Sequence, residues 1–522
     1  MILKICSLLL FVTVLISITR QLHFLQLNSY FNSRFFDYLK GEFKAKTVFS
    51  LVSALLVSLF AVFDLKVLAL VFTAIFSGIR IYYTIYKTKH AKKGIVFTSR
   101  IKRFYITASI IVLALCVITF FNVLPPYIAV IIACVITFLS PFFVCLLNII
   151  NAPIERAIKR YFINDAKKIL KSMPDLKIIG LTGSYGKTST KYILGRILSE
   201  KYNTLITPGS FNTPMGVVIT VRNHLKPQTE IFVVEMGAKK KGDIKEICDI
   251  ANPATAVITS VGPQHLNTFG SIENVISTKF ELADAVKKNG GKVYLNVDND
   301  YIFEKSGEYD SITYAIKNDK ADVIAKDVVS SKNGLKFTVC YKDKEFTLTT
   351  SLLGSHNILN ILSAVAIAMD LGVEENDIKY AVENLSATEH RLQLKPFING
   401  ALLIDDAYNA NPAGCLEAMR VIGSFSPMKR IVVTPGLVEL GEKEYECNKA
   451  LGLEAAKNAD VIILVGEKRS IPIKEGVLEG GFSSENLFVA KTFNDAVEIF
   501  KPMCDKNTVV IFENDLPDNY AK

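Results

Sequence analysis

Apolar residues are unevenly spread along the chain. Residues 1–150 hold five long apolar runs, at roughly 1–19, 47–63, 66–85, 104–121 and 127–149, each near the ~17–25 residues that a membrane-spanning helix needs. The second is the shortest. Past residue 176 short apolar runs alternate with segments whose apolar positions recur at helical spacing, which predicts a mostly parallel sheet covered on both faces. Lys177–Leu181, Ile231–Val234 and Ala256–Val261 are the first predicted strands. Tyr192, Ile193, Leu194, Ile197 and Leu198 mark a helix, and others are predicted over Asn274–Val286 and from Gly354 to Met369. Residues 291–350 change character, with alternation on both sides of Lys342–Lys344 that predicts a hairpin. From about Lys395, strands at 401–405, 430–434, 460–465, 486–490 and 508–512 alternate with helices at 411–423, 445–458 and 493–501. The predicted organisation is an all-α transmembrane region over 1–150, an amphipathic linker helix over 151–176, an α/β domain over 177–393 and a smaller Rossmann-like α/β domain over 394–522.

Composition agrees with this division. Half of the 522 residues are hydrophobic, and a mean hydropathy of +0.31 is too high for an ordinary soluble enzyme. The loops between the predicted spans give an orientation. Arg20, Arg34, Lys40, Lys44 and Lys46 follow the first span, and Lys87, Lys89, Lys92, Lys93, Arg100, Lys102 and Arg103 follow the third. Cationic loops stay in the cytoplasm, so everything past residue 150 is expected inside and the N-terminus outside. A cleaved signal peptide is the alternative for the first run, but Ile16–Thr19 lacks a small-x-small cleavage pattern. The net charge of +10 comes mostly from these loops, which suit anionic lipid headgroups and give no argument for nucleic acid. Nine cysteines include no CxxC pair, so neither a zinc site nor a disulfide framework is suggested.

The chemistry is concentrated where strands are predicted to end. Lys177–Glu200 reads strand, glycine-rich loop, helix. Within TGSYGKTS, at 182–189, Gly183 and Gly186 let the main chain of Ser184, Tyr185 and Ser189 crowd around phosphate, Lys187 offers a point charge and Thr188 a hydroxyl for Mg²⁺. The pattern is shorter than the common G-x-x-x-x-G-K-[ST], because Leu181 stands where its first glycine would be. Glu235, directly after Ile231–Val234, is a hard oxygen ligand for Mg²⁺ on ATP or, alternatively, a helix cap. His265 falls in the loop after the next strand, and Lys279 and Glu281 on the following helix.

Taken together, TGSYGKTS at 182, SFNTPMG at 210, EMGAKKKGDI at 235, GPQHLNTFGS at 262, STKFEL at 277, GSHNILN at 354, HRLQ at 390 and DDAYNANP at 405 resemble the Mur ligase superfamily, and within it the MurF type. The resemblance spans about residues 177–440 and implies a Mur ligase central domain followed by a Mur ligase C-terminal domain. It implies an ATP- and Mg²⁺-dependent ligase that activates a muropeptide-type carboxylate as an acyl phosphate, which an amino acid or dipeptide amine then attacks. By that pattern Lys187 holds the terminal phosphates, Thr188 and Glu235 ligate one Mg²⁺, and His265 ligates a second. Lys279 matches the lysine that the family carbamylates, which makes it an anionic metal ligand. Asn357 touches the adenine, and Arg391 and Asp406 close onto phosphates and ribose.

Two departures from the MurF type stand out. About 25 residues separate the last predicted span from the P-loop strand, leaving no room for the soluble domain that binds uridine diphosphate, and the last stretch of the sequence reads VVIFENDLPDNYAK where a basic segment is expected. The reading is therefore a membrane-anchored ligase in cell-envelope synthesis, with catalytic domains in the cytoplasm and membrane lipid as a partner. A ligase or amidating enzyme for a lipid-linked or other envelope precursor is the alternative within the class. Outside it stand a P-loop ATPase coupled to transport, which the scarcity of ionisable residues in the spans disfavours, and a catalytically dead scaffold.

Overall fold

The computed structural model of the protein describes residues 1–28, 30–33, 35–36, 52, 54–89, 94–264, 266–408, 410–438 and 440–515. The chain forms two compact units, Met1–Tyr161 and Phe162–Lys522.

The first unit is helical. Among the described residues, Ile2–Leu27, Lys66–Lys89, Ser99–Phe120 and Ser140–Lys171 are long and apolar enough to cross a membrane. Part of the run expected at 47–63 lies outside the described residues. The run expected at 127–149 is two helices, Pro126–Phe138 and the start of Ser140–Lys171. Pro141 explains the break, since it has no N–H to offer the carbonyl of Thr137 four residues back. That carbonyl instead accepts from the Arg80 guanidinium at 3.0 Å. The helix from Ser140 also continues through Pro153 to Lys171, where a break before the linker was expected. Near Asn151, Arg103 grips Glu155 through two bonds of 2.6 and 3.0 Å.

The second unit contains two sheets. The larger comprises β1 (Lys177–Thr182), β2 (Thr204–Ile206), β3 (Ile231–Glu235), β4 (Thr255–Ile258), β5 (Lys292–Asn296), β6 (Ser311–Ala315), β7 (Val323–Ser331), β8 (Gly334–Tyr341) and β9 (Lys344–Thr350) in the order β2-β3-β1-β4-β5-β6-β7-β8-β9. Strands β1 to β6 are parallel, and their near-continuous burial fits Val- and Ile-rich sequences covered on both faces. The expected hairpin is β8 and β9, extended by antiparallel β7; the sequence reading did not anticipate that β5 and β6 still belong to the parallel sheet.

The smaller sheet comprises β10 (Gln393–Pro396), β11 (Leu402–Asp406), β12 (Lys429–Thr434), β13 (Val461–Val465), β14 (Leu487–Ala490) and β15 (Thr508–Glu513), ordered β10-β11-β15-β12-β13-β14. Five of these strands lie within a residue or two of the sequence expectation. Short antiparallel β10 and the helix Ile471–Glu479 were not foreseen.

In the larger sheet β1 lies between β3 and β4, so the chain runs one way from β1 to β2 and β3 and then crosses to β4 on the other side. Such a reversal opens a crevice at the carboxyl ends of the strands. Those ends are Thr182, Glu235 and Ile258, held in register by the Leu181–Glu235 and Thr182–Ile258 pairings.

Candidate active site

The loop from β1 to the helix Lys187–Leu198 is built on two glycines with positive φ, Gly183 at 156° and Gly186 at 79°. Side chains are excluded from both. A Cβ on Gly183 would lie 2.0 Å from Thr259 Oγ1, and one on Gly186 would lie 2.7 Å from Asn360 Oδ1. The loop is strapped to residues 259–263. Ser184 N–H donates to the Ser260 carbonyl at 2.7 Å, Tyr185 N–H to Ser260 Oγ at 2.8 Å, and the Tyr185 hydroxyl to the Pro263 carbonyl at 2.9 Å. The main-chain donors left for an anion are therefore those at the start of the helix, where the dipole also favours negative charge.

Lys187 lies over this loop, its ammonium donating to the carbonyls of Gly183 at 2.5 Å and Ser184 at 3.0 Å. Burial pulls it down to about 8, with Glu235 opposing the fall and Arg391 adding to it. Thr188 Oγ1 donates to Glu235 Oε1 at 3.2 Å, and Asn212 Nδ2 donates to the same oxygen at 3.0 Å. On the other side Lys191 lies 3.0 Å from Glu235 Oε2, both side chains being 1% exposed or less. Burial pushes the Glu235 carboxyl up, but Lys191 and Lys187 outweigh it and hold the group below the usual glutamate range.

A hydroxyl beside an ionised carboxylate fits Mg²⁺, which takes one or two protein oxygens and fills its remaining positions with water and phosphate. Among the described residues there is no cluster of three His, Cys, Asp or Glu that would make a closed metal cage. His265 lies outside the described residues. Lys279 sits in the helix Ile272–Lys288, 1% exposed. Burial, and next the charge of Lys187, hold its amine well below the usual lysine range.

Beside the loop lies a cavity of about 880 Å³. Tyr185, Gly186 and Ser189 line it from the larger-sheet domain, as does Asn357, while Arg391 and Asp406 line it from the linker and the smaller sheet. Asn357 spends one donor on the Leu353 carbonyl at 2.8 Å and accepts from Asn360 at 3.0 Å. The Arg391 guanidinium lies over the Tyr408 ring, 5.4 Å from its centre. Asp406 accepts the Leu392 N–H at 3.1 Å. The linker turns sharply here, with positive φ at His390 and Leu392.

Sequence reasoning missed several participants. Lys191 stands four residues after Lys187, hence on the same helix face, and that spacing was the available signal. Asn212 lies inside the SFNTPMG stretch but had no assigned role. Glu417 accepts both the N–H and the hydroxyl of Ser355 at 2.6 Å, tying the helix Pro412–Gly423 of the smaller domain to the start of His356–Asp370 in the larger. Glu513 closes the list, and only the pairing of β11 with β15 puts it beside Asp406.

Comparison with known proteins gives the family. The family description "Mur ligase middle domain" matches residues 181–368, and "Mur ligase, glutamate ligase domain" matches residues 390–513. The chain is 30% identical over 338 residues to a UDP-N-acetylmuramoyl-tripeptide–D-alanyl-D-alanine ligase of Bacillus subtilis, covering 65% of this chain and 72% of the relative. It is 32% identical over 308 residues to the Escherichia coli enzyme of the same name, covering 58% of this chain and 68% of the relative. Among solved structures, MurF from Acinetobacter baumannii superposes with a TM-score of 0.61 at 26% identity, covering 69% of this chain and 78% of that one. The MurF ligase from Thermotoga maritima in complex with ADP gives 0.60 at 26% identity, covering 68% and 80%.

Proposed function

Because the chain belongs to the Mur ligase family, whose members are ATP-dependent ligases that form C–N bonds, we propose that it is a membrane-anchored amide ligase of peptidoglycan-precursor synthesis that works in the MurF manner. The observation that carries the reading is one cavity lined both by the phosphate-loop residues Tyr185, Gly186 and Ser189 and, from the linker and the smaller sheet, by Arg391 and Asp406.

In this reaction a carboxylate oxygen of the muramoyl peptide attacks the γ-phosphorus of ATP and the bond to ADP breaks, leaving an acyl phosphate. The amine nitrogen of D-alanyl-D-alanine, or of another amine, then attacks the acyl carbon, phosphate leaves, and the nitrogen gives up a proton. Several anions meet in one place, so the chain's contribution is positive charge and N–H donors. Lys187 and the first turn of its helix receive the terminal phosphates, and Arg391 adds charge from the linker. Asp406 faces the ribose and Asn357 the adenine. Thr188 and Glu235 would hold Mg²⁺, which when bound spreads the phosphate charge. His265 and a carbamylated Lys279 are assigned by resemblance to a second ion. Burial favours the carbamate assignment, because a neutral lysine amine is the form that adds CO₂.

Four long apolar helices support membrane attachment, with the ligase domains on the cytoplasmic side by the distribution of loop charge. A lipid-linked acceptor is the second reading, favoured by the short distance from the last apolar helix to β1. The full-length protein in detergent, given Mg-ATP, D-alanyl-D-alanine and either UDP-linked or lipid-linked muramoyl tripeptide, separates the two. ADP and a dipeptide-extended product are expected with one acceptor and should vanish in Lys187→Ala. Absence of amide product with both acceptors overturns the assignment.

A further inference from the structure

Between residues 1 and 161 lysines and arginines far outnumber carboxylates, which are Asp37, Glu42, Asp64 and Glu155 alone. Two guanidiniums gather at Glu155. Arg103 holds it through Nε at 2.6 Å and Nη2 at 3.0 Å, while Arg100 Nε lies 3.8 Å from its Oε2, beyond hydrogen bonding. Arg100 is fixed by other means. Its guanidinium carbon sits 3.8 Å from the centre of the Tyr30 ring, and its Nη2 donates to Asn148 Oδ1 at 3.3 Å. Asn148 in turn donates to the Tyr30 carbonyl at 3.0 Å and to Asn32 Oδ1 at 2.8 Å. The Arg100 Nε is buried with no hydrogen-bond partner. Of the five N–H donors on each guanidinium, Arg100 uses one and Arg103 two among the described residues.

One carboxylate cannot neutralise two guanidiniums, and a positioned arginine with open donors is matched by an anion. The helix that carries both arginines says which kind. In Ser99–Phe120 the side chains of Ile106, Ile110, Leu113 and Val117 are exposed, whereas Phe104, Ala108 and Val112 on the other side are buried. Spacings of three and four residues put Lys102 and Arg103 at the head of that exposed stripe. Cations above an apolar stripe suit an anion that carries a hydrocarbon chain, its charge at the helix end and its chain along the helix. Two guanidiniums one helical turn apart, both with donors open, match two linked phosphates better than the single charge of a phosphodiester.

We propose that Arg100 and Arg103 form a binding site for the diphosphate of a lipid, whose chain lies along Ile106, Ile110 and Leu113. Its role in catalysis rests on the ligase reading above with a lipid-linked acceptor: the site would hold that acceptor by its anchor, at the end of the helices that the loop charges assign to the cytoplasm.

Thermophoretic titration of the full-length protein in an uncharged detergent reads the site without turnover, with farnesyl diphosphate, farnesol, inorganic pyrophosphate and phosphatidylglycerol as separate probes. Farnesyl diphosphate should bind about tenfold more tightly than each of the other three. Arg100→Gln should weaken it by about tenfold or more, the loss of charge-assisted hydrogen bonds. Arg100→Lys, which keeps the charge without the fork, should weaken it less, and Lys89→Gln, at the end of the preceding helix, by less than about twofold. Failure of farnesyl diphosphate to bind overturns the proposal. Equal affinity for pyrophosphate would mark a site for a free anion, for farnesol a purely apolar groove, and for phosphatidylglycerol a site for bulk lipid; each overturns it. So does a loss in Arg100→Lys as large as in Arg100→Gln, the mark of a structural residue, or an equal loss in Lys89→Gln, the mark of a diffuse attraction. Lack of amide formation in a protein that passes this titration would count against the ligase reading alone.

Discussion

Lys191→Met tests how the Glu235 carboxylate is held. Lys191 Nζ lies 3.0 Å from Glu235 Oε2, with side-chain exposures of 0% and 1%, and donates to the Gly209 carbonyl at 2.6 Å. At that separation an effective dielectric of ~20 gives an attraction of roughly 5 kcal/mol, which desolvation of both charges largely offsets. The pair as a whole therefore adds little to stability, but either charge left alone is expensive. Lys191→Met leaves Glu235 with Thr188 and Asn212 as neutral donors; Glu235→Gln leaves a buried ammonium with one carbonyl. Each single change is expected to cost about 3–5 kcal/mol. The double variant removes both charges and should cost less than the sum of the two by at least ~2 kcal/mol. The protein has no tryptophan, so urea unfolding of the full-length chain in detergent is best followed by far-UV circular dichroism. Additive single effects, or a Lys191→Met cost below ~1 kcal/mol, would refute the view that this ion pair holds the carboxylate.

Three further predictions concern other parts of the chain. Asp370, 6% exposed in its side chain, accepts from Tyr294 at 2.7 Å, Tyr341 at 2.9 Å and Lys342 at 2.6 Å; burial pushes its carboxyl up, but these bonds outweigh it and hold the group below the usual aspartate range. A depressed carboxyl stabilises the fold above its unfolded value of ~3.9 and loses that contribution as pH falls through the folded value, so Asp370→Asn should cost about 1–3 kcal/mol at neutral pH and flatten the acid limb of an unfolding-versus-pH curve; an unchanged limb would argue against it. Lys279→Ala should lose ligation, with partial rescue by acetate standing in for a carbamate, and full activity without rescue removes Lys279 from the mechanism. In a cysteine-free background, a cysteine at position 95 should resist an impermeant thiol reagent in intact cells; rapid labelling there reverses the proposed topology.

Much of the fold was legible because local pattern decides it. A parallel sheet buried on both faces demands apolar strands of a certain length, and these stand out at β1, β3, β4 and in five strands of the smaller sheet. The glycines of the phosphate loop were legible for a stricter reason: at Gly183 and Gly186 the structure has no room for a Cβ. Less visible were features that depend on partners distant in sequence. Pro141 breaks an apolar run that looked continuous, and the cost is tolerated because Arg80, 57 residues upstream of Thr137, supplies the missing donor. The helix Ile471–Glu479 carries too short an apolar pattern to declare itself. Lys191 read as one more polar residue on a surface helix until β3 placed Glu235 beside it. Glu513 read only as a departure from a basic pattern; its burial and its pairing with Asp406 belong to the smaller sheet as a whole.

The way the phosphate loop is strapped down bears on why two domains are needed. Ser184 and Tyr185 commit their N–H groups to Ser260, so the loop itself has fewer donors for a triphosphate than its glycines suggest. The start of the helix at Lys187 and the Lys187 ammonium make up part of that deficit. Burial lowers Lys187, however, so without a phosphate beside it the residue carries its charge less readily than an exposed lysine. More positive charge has to come from elsewhere, and Arg391, on the linker that leads into the smaller sheet, is a guanidinium that lines the same cavity as the loop. Ser355 and Glu417 tie the two domains together next to that cavity. A ligand that completes the charge balance at the loop would thereby favour the arrangement in which the smaller domain, with Asp406 and Glu513 at its edge, faces the phosphates. Nucleotide binding and the docking of the smaller domain are on this account one event, because the phosphate loop taken alone is short of both donors and charge.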